Sequence, residues 1–595
     1  MKASRFRWNA SALVLTSVLA FCAGQAIHAV EQEPAVDAGY QLEDSNSLLG
    51  SYLAGRVARS QRDNETAARY YREALDRDPA SKEILEDAFQ LKVATGNFPE
   101  ARQLAKQLTV RDGDHKIANL FLGLNAFVEK DYRAAESYFK AVGKAPIAEL
   151  TANLARVWAA QARGQTEAAI KASNAVSSPQ TEGSQHIELL HRALIADLAK
   201  KRTVSRQAYA QLFKKNPRNV RAVEAYARHA AFWGDKELAE KILKPHLAVP
   251  NPNPLLKSLA DDIAANKKVP LVVSDAKEGL AEVFQGIGEA LAGDGVIDAG
   301  QLYLQLALFV RPDFIVAQYA LGELYDQLKN YEQANNAFAR VPRESPLWLN
   351  AQLRKAYDLN SLERIGEAKS LLTELIKAYP DDMRAYYTLG NLLRGNKEYA
   401  AAVEHYTKAI EKMGPTEKSQ WSVYYARGVC YERVKDWPKA EADLRKALEL
   451  DPNQELTLNY LGYSWVDQSL NLKEAMDLIR RAVQLRPNDG YFVDSLGWAY
   501  YRQRDFEQAV KQLERAVELK PDDPVINDHL GDAYWHVGRR LEAKFQWKQA
   551  LDLKPEADDE VKIKKKLDAG LVEEPTSTRA SLEGGQTAKA PAESK

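Results

Sequence analysis

Cysteine is almost absent from this chain of 595 residues, and its charges nearly cancel, with 81 basic against 82 acidic side chains. Two cysteines can form one internal disulfide at most, so packing has to hold a chain of this length together. Without an excess of positive charge the chain cannot neutralise a phosphate backbone, which excludes nucleic acid as the expected partner. The length exceeds what one core supports, so several domains or one long array are expected.

Long apolar runs are also missing after the first thirty residues, and no later segment approaches the roughly 18 to 20 residues that cross a bilayer. The one such run, from about Ala10 to Ala23, follows Lys2, Arg5 and Arg7 and precedes the sequence IHA. A basic start, a short apolar stretch and a small-residue end are typical of a secretory signal. We therefore predict a signal peptide over residues 1–29 and an exported mature chain that begins near Val30.

Two alternatives remain for this segment, namely a transmembrane anchor and lipidation of Cys22. Lipoprotein signals carry a small residue just before the modified cysteine, whereas Phe21 is bulky. If the signal is removed, Cys430 is the one cysteine left, and no internal disulfide can form.

Catalytic and metal-binding motifs are lacking as well. The sequence contains no HExxH, no GxSxG, no Walker loop and no cysteine-rich metal spacing. Gly286 and Gly288 follow no predicted strand, and His186 and His191 are five residues apart, which places their rings on different helix faces. We predict no enzyme, no catalytic residue, no cofactor and no metal.

What the chain does have is a repeat. Residues 458–468, 493–503 and 527–537 align without gaps, and each carries a Leu-Gly pair, at 461–462, 496–497 and 530–531. A second segment follows each of them and ends in Pro487, Pro521 or Pro555, so the period is 34 or 35 residues. The same register extends upstream, in degraded form, to residues 54–79.

The repeat has a mechanical explanation. The apolar residues recur at helical spacing, which gives the first helix of each repeat one buried face. Gly462, Gly497 and Gly531 are expected where two helix backbones cross closely, opposite a small alanine, and the prolines end the second helix. One such pair cannot bury its own apolar face, so each repeat depends on its neighbours.

These residues resemble the tetratricopeptide repeat, a 34-residue helix–turn–helix with this pattern of L-G, Y, A, F, A and P. The resemblance implies an all-α fold, an α-solenoid with the form of a right-handed superhelix of about 14 units. The units are expected to begin near Leu48, Lys82, Lys116, Glu149, His186, Val220, Ala281, Ile315, Leu349, Met383, Trp421, Glu455, Gly490 and Pro524.

The expected domains follow the quality of the repeat. After the signal at 1–29 come a linker at 30–47 and a degenerate array at 48–254. A connecting segment at 255–280, next to the Pro-rich residues 244–254, leads to a regular array at 281–555. Residues 556–595 are expected to form a capping helix and a disordered tail.

A cluster of acids and histidines near the end of the array, Asp528, His529, Asp532 and His536, admits three interpretations: a metal site, a groove surface that contacts a partner, or a purely structural role. Asp528, Asp532 and His536 share one helix face, so two or three of them could bind a cation. The resemblance implies instead that positions 5, 9 and 13 of the unit line a concave groove, with His529 turned aside. We favour the groove, because no neighbouring unit supplies a further His or Cys.

The same groove positions in five units are rich in Tyr, Trp and Arg, side chains that dominate binding hot spots. We predict a partner-binding surface there. Its residues are Tyr387, Asn391, Arg394, Tyr425, Arg433, Asn459, Tyr463, Asp494, Trp498, Tyr501, Arg502, Asp528, Asp532 and Trp535.

The segments 494–503 and 528–551 further resemble the long exported tetratricopeptide proteins and lipoproteins of Gram-negative bacteria. That resemblance implies a periplasmic scaffold, associated with the outer membrane in some members, that binds partner proteins and delivers substrates to an envelope protease or assembly machine. Peripheral membrane association is one open question. A scaffold that binds polysaccharide or peptidoglycan is the alternative function, since aromatic and acidic side chains also suit sugars.

Overall fold

The computed structural model describes residues 47–143, 145–173, 182–249, 251–414 and 417–571. These residues form thirty α-helices and one short 3-10 helix, without a strand among them. The predicted all-α fold is therefore confirmed. The predicted signal peptide, Cys22 and the tail beyond residue 571 lie outside the described residues. None of the described helices is long and apolar enough to cross a membrane.

The chain divides into two compact units, one up to Met413 and one from Gly414 onward. The helices of the first unit are α1 (Leu48–Ser60), α2 (Asn64–Arg77), α3 (Lys82–Ala94), α4 (Phe98–Arg111), α5 (Lys116–Val128), α6 (Tyr132–Lys140), α7 (Pro146–Ala162), α8 (Thr166–Ser173), α9 (Glu182–Leu198), α10 (Arg202–Lys215), α11 (Val220–Phe232), α12 (Lys236–Leu247), α13 (Pro254–Ala264), α14 (Ala276–Gly293), α15 (Ile297–Val310), α16 (Ile315–Gln327), α17 (Tyr331–Ala339), α18 (Trp348–Ser361), α19 (Ile365–Ala378), α20 (Met383–Gly395) and α21 (Tyr399–Lys412).

The second unit contains the 3-10 helix (Lys418–Gln420), α22 (Trp421–Arg433), α23 (Trp437–Leu450), α24 (Glu455–Asp467), α25 (Leu472–Leu485), α26 (Gly490–Arg502), α27 (Phe506–Leu519), α28 (Pro524–His536), α29 (Arg540–Asp552) and α30 (Ala557–Ala569). Apart from α13 and α30, the helices form consecutive pairs. We call the first helix of each pair the A helix and the second the B helix.

Short polar turns join the two helices of a pair. In many of these turns one residue has a left-handed backbone, such as Lys130 with φ of 65° and Arg504 with φ of 62°, and an aspartate follows it. The side chain of that aspartate caps the B helix: Asp131 accepts a hydrogen bond from the Ala134 amide, and Asp505 from the Gln508 amide. The cap satisfies a backbone amide that the first turn of a helix would otherwise leave without a partner.

The repeat glycines lie at the crossing points of the pairs, as predicted. A Cβ atom on Gly462 would be 2.7 Å from Ile479 Cγ1, and one on Gly497 would be 2.6 Å from Leu513 Cγ. On Gly531 it would be 2.5 Å from Trp547 Cδ1. Such distances leave no room for a methyl group, so each glycine lets its A helix approach the B helix closely.

Within the first unit, the early repeats close around the helix pair α14 and α15. The A helices α3, α5, α7 and α9 all contact this pair. Gly279 of α14 packs on Trp158 of α7, and a Cβ atom there would be 2.1 Å from Trp158 Cη2. The ring of Phe309 on α15 lies 5.1 Å from that of Phe121 on α5. The result is one continuous buried core from Ala58 to Ala351.

The predicted connecting segment at 255–280 contains α13 and the start of α14. The change in repeat quality at that point is not a division between compact units, because α14 and α15 pack within the array that precedes them. The predicted assignment of residues 48–254 and 281–555 to two arrays stays a prediction. The helix α30 covers most of the segment predicted to cap the array.

Candidate partner-binding surfaces

The predicted surface residues all lie on A helices. Tyr387, Asn391 and Arg394 belong to α20 in the first unit, and the others belong to α22, α24, α26 and α28 in the second. Asn391, Asp494 and Asp532 are buried, Arg433 is exposed, and the rest are half-buried. We call the surface that these positions form on the A helices the inner face of each compact unit.

On α20 the predicted residues form a hydrogen-bonded group around a tyrosine of the following B helix. The hydroxyl of Tyr406 donates to Asn391 Oδ1 at 2.8 Å, and Arg394 Nε donates to the same hydroxyl at 3.3 Å. Asn391 Nδ2 donates to the Tyr357 hydroxyl at 3.4 Å, and the Tyr387 ring packs 6.0 Å from that of Tyr406. Tyr357 holds the same position in the preceding repeat as Asn391 holds in its own. Extending the repeat register to that preceding repeat would therefore have identified Tyr357 from the sequence.

On α22 and α24 the inner face combines tyrosines with one ion pair. The rings of Tyr425 and Tyr460 meet edge to face at 5.8 Å. The hydroxyl of Tyr460 donates to Glu432 Oε2 at 3.1 Å, and Arg433 Nε lies 3.6 Å from the same oxygen. Sequence reasoning missed Tyr460, because it stands one residue outside the expected groove positions.

The two predicted residues on α24, Asn459 and Tyr463, have different surroundings. Asn459 Oδ1 is buried and has no hydrogen-bond partner among the described residues. Tyr463 is half-buried. Burial raises the pKa of Tyr463, and the carboxylates of Asp494 and Asp467 add to that rise.

On α26 an aromatic stack covers both faces of Trp498. The Tyr501 ring lies 4.5 Å from the Trp498 ring at an interplanar angle of 9°, and the His529 ring of α28 lies 4.0 Å away at 13°. His529 Nδ1 is 2.9 Å from Asp494 Oδ1. Burial lowers the pKa of His529, but the Asp494 carboxylate outweighs this and raises it above the ordinary value.

The stack changes the role of the cluster that the sequence singled out. His529 does turn away from Asp528 and Asp532, and it turns toward α26, where it binds Asp494. His536 also faces the preceding repeat, since its ring lies 5.4 Å from that of Tyr501 on α26 and stacks on Phe506 of α27 at 4.3 Å and 5°. The cluster therefore splits into two aromatic histidines, which join neighbouring repeats, and a pair of carboxylates.

That carboxylate pair holds a lysine from the last helix. Lys566 Nζ lies 2.8 Å from Asp528 Oδ2 and 2.7 Å from Asp532 Oδ2. Trp547 Nε1 donates to Asp532 Oδ1 at 2.8 Å. Burial raises the pKa of Asp532 to about 6, with help from Asp528 and against the effect of Lys566. The ammonium group occupies the place that a cation would take.

Trp535, the last predicted residue, is covered on the same side of α28. The guanidinium of Arg540 lies 3.8 Å from the centre of its ring, and the Trp547 ring is 5.3 Å away. Across the described ranges, no group of three or more His, Cys, Asp and Glu side chains could hold a metal ion.

The first compact unit also contains a cluster of acidic side chains, which the predicted surface did not include. The protein packed around the carboxylate of Glu289 on α14 raises its pKa to about 7, and the carboxylate of Glu323 on α16 adds to that rise. Arg354 of α18 lies 3.2 Å from Asp326 and 3.8 Å from Glu323. Glu289 and Glu323 hold the same repeat position as Asn391, so extending the register to α14 and α16 would have found them.

Comparison with known proteins agrees with this geometry. Family models described as tetratricopeptide repeat or TPR repeat match residues 58–120, 316–347, 353–418, 421–454 and 497–538. The TPR repeat-containing protein PA4667 of Pseudomonas aeruginosa is 30% identical over 188 residues, which are 31% of each chain. The human protein O-mannosyl-transferase TMTC3 is 26% identical over 194 residues, or 30% of this chain and 21% of that protein.

Among solved structures, the Cut9–Hcn1 hetero-tetramer of the APC/C matches 87% of this chain and 95% of its own, at 14% identity and a TM-score of 0.37. Yeast Tom70 matches 88% of this chain and 95% of its own, at 13% identity and a TM-score of 0.33. The chain spans about a third or less of the length of the curated relatives named above.

The repeats, the glycine crossings and the family matches together define a tetratricopeptide repeat protein, an α-solenoid of the class that serves as a scaffold for protein interactions.

Proposed function

We propose that this protein is a non-catalytic scaffold of the bacterial cell envelope that binds partner proteins on the inner faces of its repeats. The observation that carries the proposal is the presence of half-buried tyrosines on the A helices α20, α22 and α24, with the half-buried Arg394 on α20 and the exposed Arg433 on α22. These side chains offer large rigid contact areas and forked hydrogen bonding, and part of each remains open to solvent.

The inner face of the early repeats is not part of this surface. The pair α14 and α15 fills it, and Arg221 of α11 forms a buried ion pair with Glu282 of α14. Partner binding is therefore assigned to α16 and the A helices that follow it, in each unit separately.

The envelope setting rests on the predicted signal peptide at 1–29 and on the resemblance to exported proteins of this repeat class. In that setting the scaffold would deliver substrates to an envelope protease or assembly machine. The mass of the N-terminus after expression in a Gram-negative host tests the setting. A chain that begins near Val30 in the periplasmic fraction supports export, and an intact N-terminus in the cytoplasm contradicts it.

Site-specific crosslinking tests the binding role. Benzoylphenylalanine replaces Tyr387 on α20 or Tyr425 on α22, and it replaces the exposed Glu404 on α21 or Lys511 on α27 as matched controls on B helices. We expect ultraviolet light to crosslink partner proteins from each inner position and not from the control in the same unit. Equal crosslinking from the B helices would refute the assignment to the inner face.

Polysaccharide binding, the alternative function, requires an aromatic face on which a sugar ring can stack. Trp498 has Tyr501 on one face and His529 on the other, and Trp535 lies under Arg540. This arrangement favours a protein ligand over a sugar on α26 and α28.

A further inference from the structure

The last helix, α30, lies on the inner face of the second unit. Its Lys566 binds Asp528 and Asp532 of α28, and its end packs on Trp535, where a Cβ atom on Gly570 would be 2.1 Å from Cζ2. The chain at α30 thus covers the predicted surface residues Asp528, Asp532 and Trp535 of α28.

One face of α30 and the two residues that follow the helix make these contacts. Ile563 is buried in the core cluster of the last repeats, and Leu567 and Leu571 pack against the same cluster. Lys566 and Leu567 follow Ile563 by three and four residues, which places the three on one side of α30. Gly570 and Leu571 come directly after the end of the helix. The contact combines an apolar row with one lysine held by two carboxylates.

The remainder of α30 faces solvent, since Val561, Lys562, Lys564 and Lys565 are exposed. In the described part of the chain only α29 packs extensively against it. The turn from α29 to α30 contains Lys554, whose backbone is left-handed with φ of 56°. The helix is attached from one side and by a short turn, which is compatible with its release.

We propose that α30 is an internal ligand of this inner face, and that the partner binds there through a helix of the same chemistry. That helix would present one lysine between apolar residues, and α30 and the partner would exclude each other. A helix laid into a groove through such spaced anchors is an established mode of peptide recognition. This inference rests on the proposed function and names the partner's chemistry.

The test uses the full chain and a fluorescent peptide with the sequence of residues 556–571. Ile563→Ala combined with Lys566→Ala loosens the chain's own α30. We expect the peptide to bind this variant at least about 10-fold more tightly than it binds the wild type, where α30 competes for the surface. Adding Asp528→Asn and Asp532→Asn to the loosened variant should abolish binding, as should replacing the lysine of the peptide that corresponds to Lys566 with glutamine.

Equal peptide affinity for the wild type and a folded loosened variant would overturn the proposal, and so would binding that survives loss of both carboxylates. Should the loosened variant unfold, amide hydrogen exchange of the wild type decides the question. If α30 detaches, its amide hydrogens exchange at least about 10-fold faster than those of α28 and α29. If α30 is a permanent cap, its amide hydrogens exchange at the same rate as those of α28 and α29.

The two proposals fail separately. The crosslinks expected at Tyr387 and Tyr425 do not involve α30, so their presence together with a peptide that does not bind would refute this inference alone. Their absence would refute the binding role of the inner face, whatever the peptide does.

Discussion

At the scale of single residues, the buried carboxyl group of Asp358 on α18 has the least ordinary environment. Its side chain is fully buried, and its carboxyl group lies beside the carboxylate of Asp326, with which it shares a side-chain hydrogen bond. Burial, and then the neighbouring Asp326 carboxylate, raise the pKa of Asp358 to about 8. The folded chain therefore keeps a proton at neutral pH that the unfolded chain releases near pH 4.

The sign of the resulting pH dependence follows from this proton. Between about pH 4 and pH 8 the folded state binds more protons than the unfolded state at this site, so the free energy of unfolding falls as the pH rises. Asp358→Asn, which is neutral at every pH, should remove the dependence. At pH 8 it should raise the free energy of unfolding by an amount on the order of a few kcal/mol.

Thermal unfolding at pH 5 and pH 8 checks this prediction. The melting temperature of the wild type should fall more between the two than that of Asp358→Asn. Asp313→Asn, at a site where 84% of the side chain is exposed, serves as the control and should follow the wild type. An identical pH dependence in all three proteins would show that Asp358 is ionised in the folded chain.

Two glycines of α14 provide a second test at this scale. A Cβ atom on Gly279 would overlap Trp158 of α7, whereas one on Gly286 would meet nothing within 4 Å. Gly279→Ala should destabilise the first unit by about 1–3 kcal/mol through overpacking. Gly286→Ala should stabilise it by about 0.5–1 kcal/mol, because alanine suits a helix interior better than glycine. Chemical denaturation of both variants measures the difference, and equal effects would argue against the packing of α14 on α7.

At the scale of helices, the repeat pattern predicted most A helices to the residue. The predicted starts at Met383, Trp421, Glu455, Gly490 and Pro524 are the first residues of α20, α22, α24, α26 and α28. Prolines and glycines at fixed intervals carry this information, because each ends a helix or permits a crossing.

The repeat pattern predicted the first residue of an A helix wrongly where that helix is longer than the repeat requires. The predicted starts at Glu149, His186 and Ala281 each fall after the first residue of α7, α9 and α14, which have 17, 17 and 18 residues. Helices α7 and α9 are also among the helices that pack against α14. Contacts between repeats so distant in the sequence leave no mark at the period of 34, so the pattern could not predict them.

The composition of the inner face was predictable and its contacts were not. The register located Asp494, Trp498, Asp528 and Asp532, whereas the pairing of Asp494 with His529 and of both other aspartates with Lys566 depends on side-chain directions. A residue that its repeat position assigns to a binding surface can still be covered by side chains of the neighbouring helix.

At the scale of the whole molecule, the two compact units should differ in how they tolerate dissection. A fragment of residues 414–571 keeps the core clusters around Trp465 and Trp547 complete. A fragment of residues 47–249 loses α14 and α15 and exposes the apolar surface around Phe121 and Trp158. We expect the first to be a helical monomer and the second to bind a hydrophobic dye and aggregate, as judged by circular dichroism and size-exclusion chromatography. A monomeric, dye-free 47–249 fragment would contradict the closed packing of the early repeats.

Hydrogen exchange with and without a crosslinked partner protein tests the central claim, that partners bind the inner face. The A helices α20, α22 and α24 alternate with the B helices α21, α23 and α25, so each protected segment has its own neighbouring control. We predict slower exchange in the A helices on binding and unchanged exchange in the B helices. Protection confined to the B helices would contradict the account.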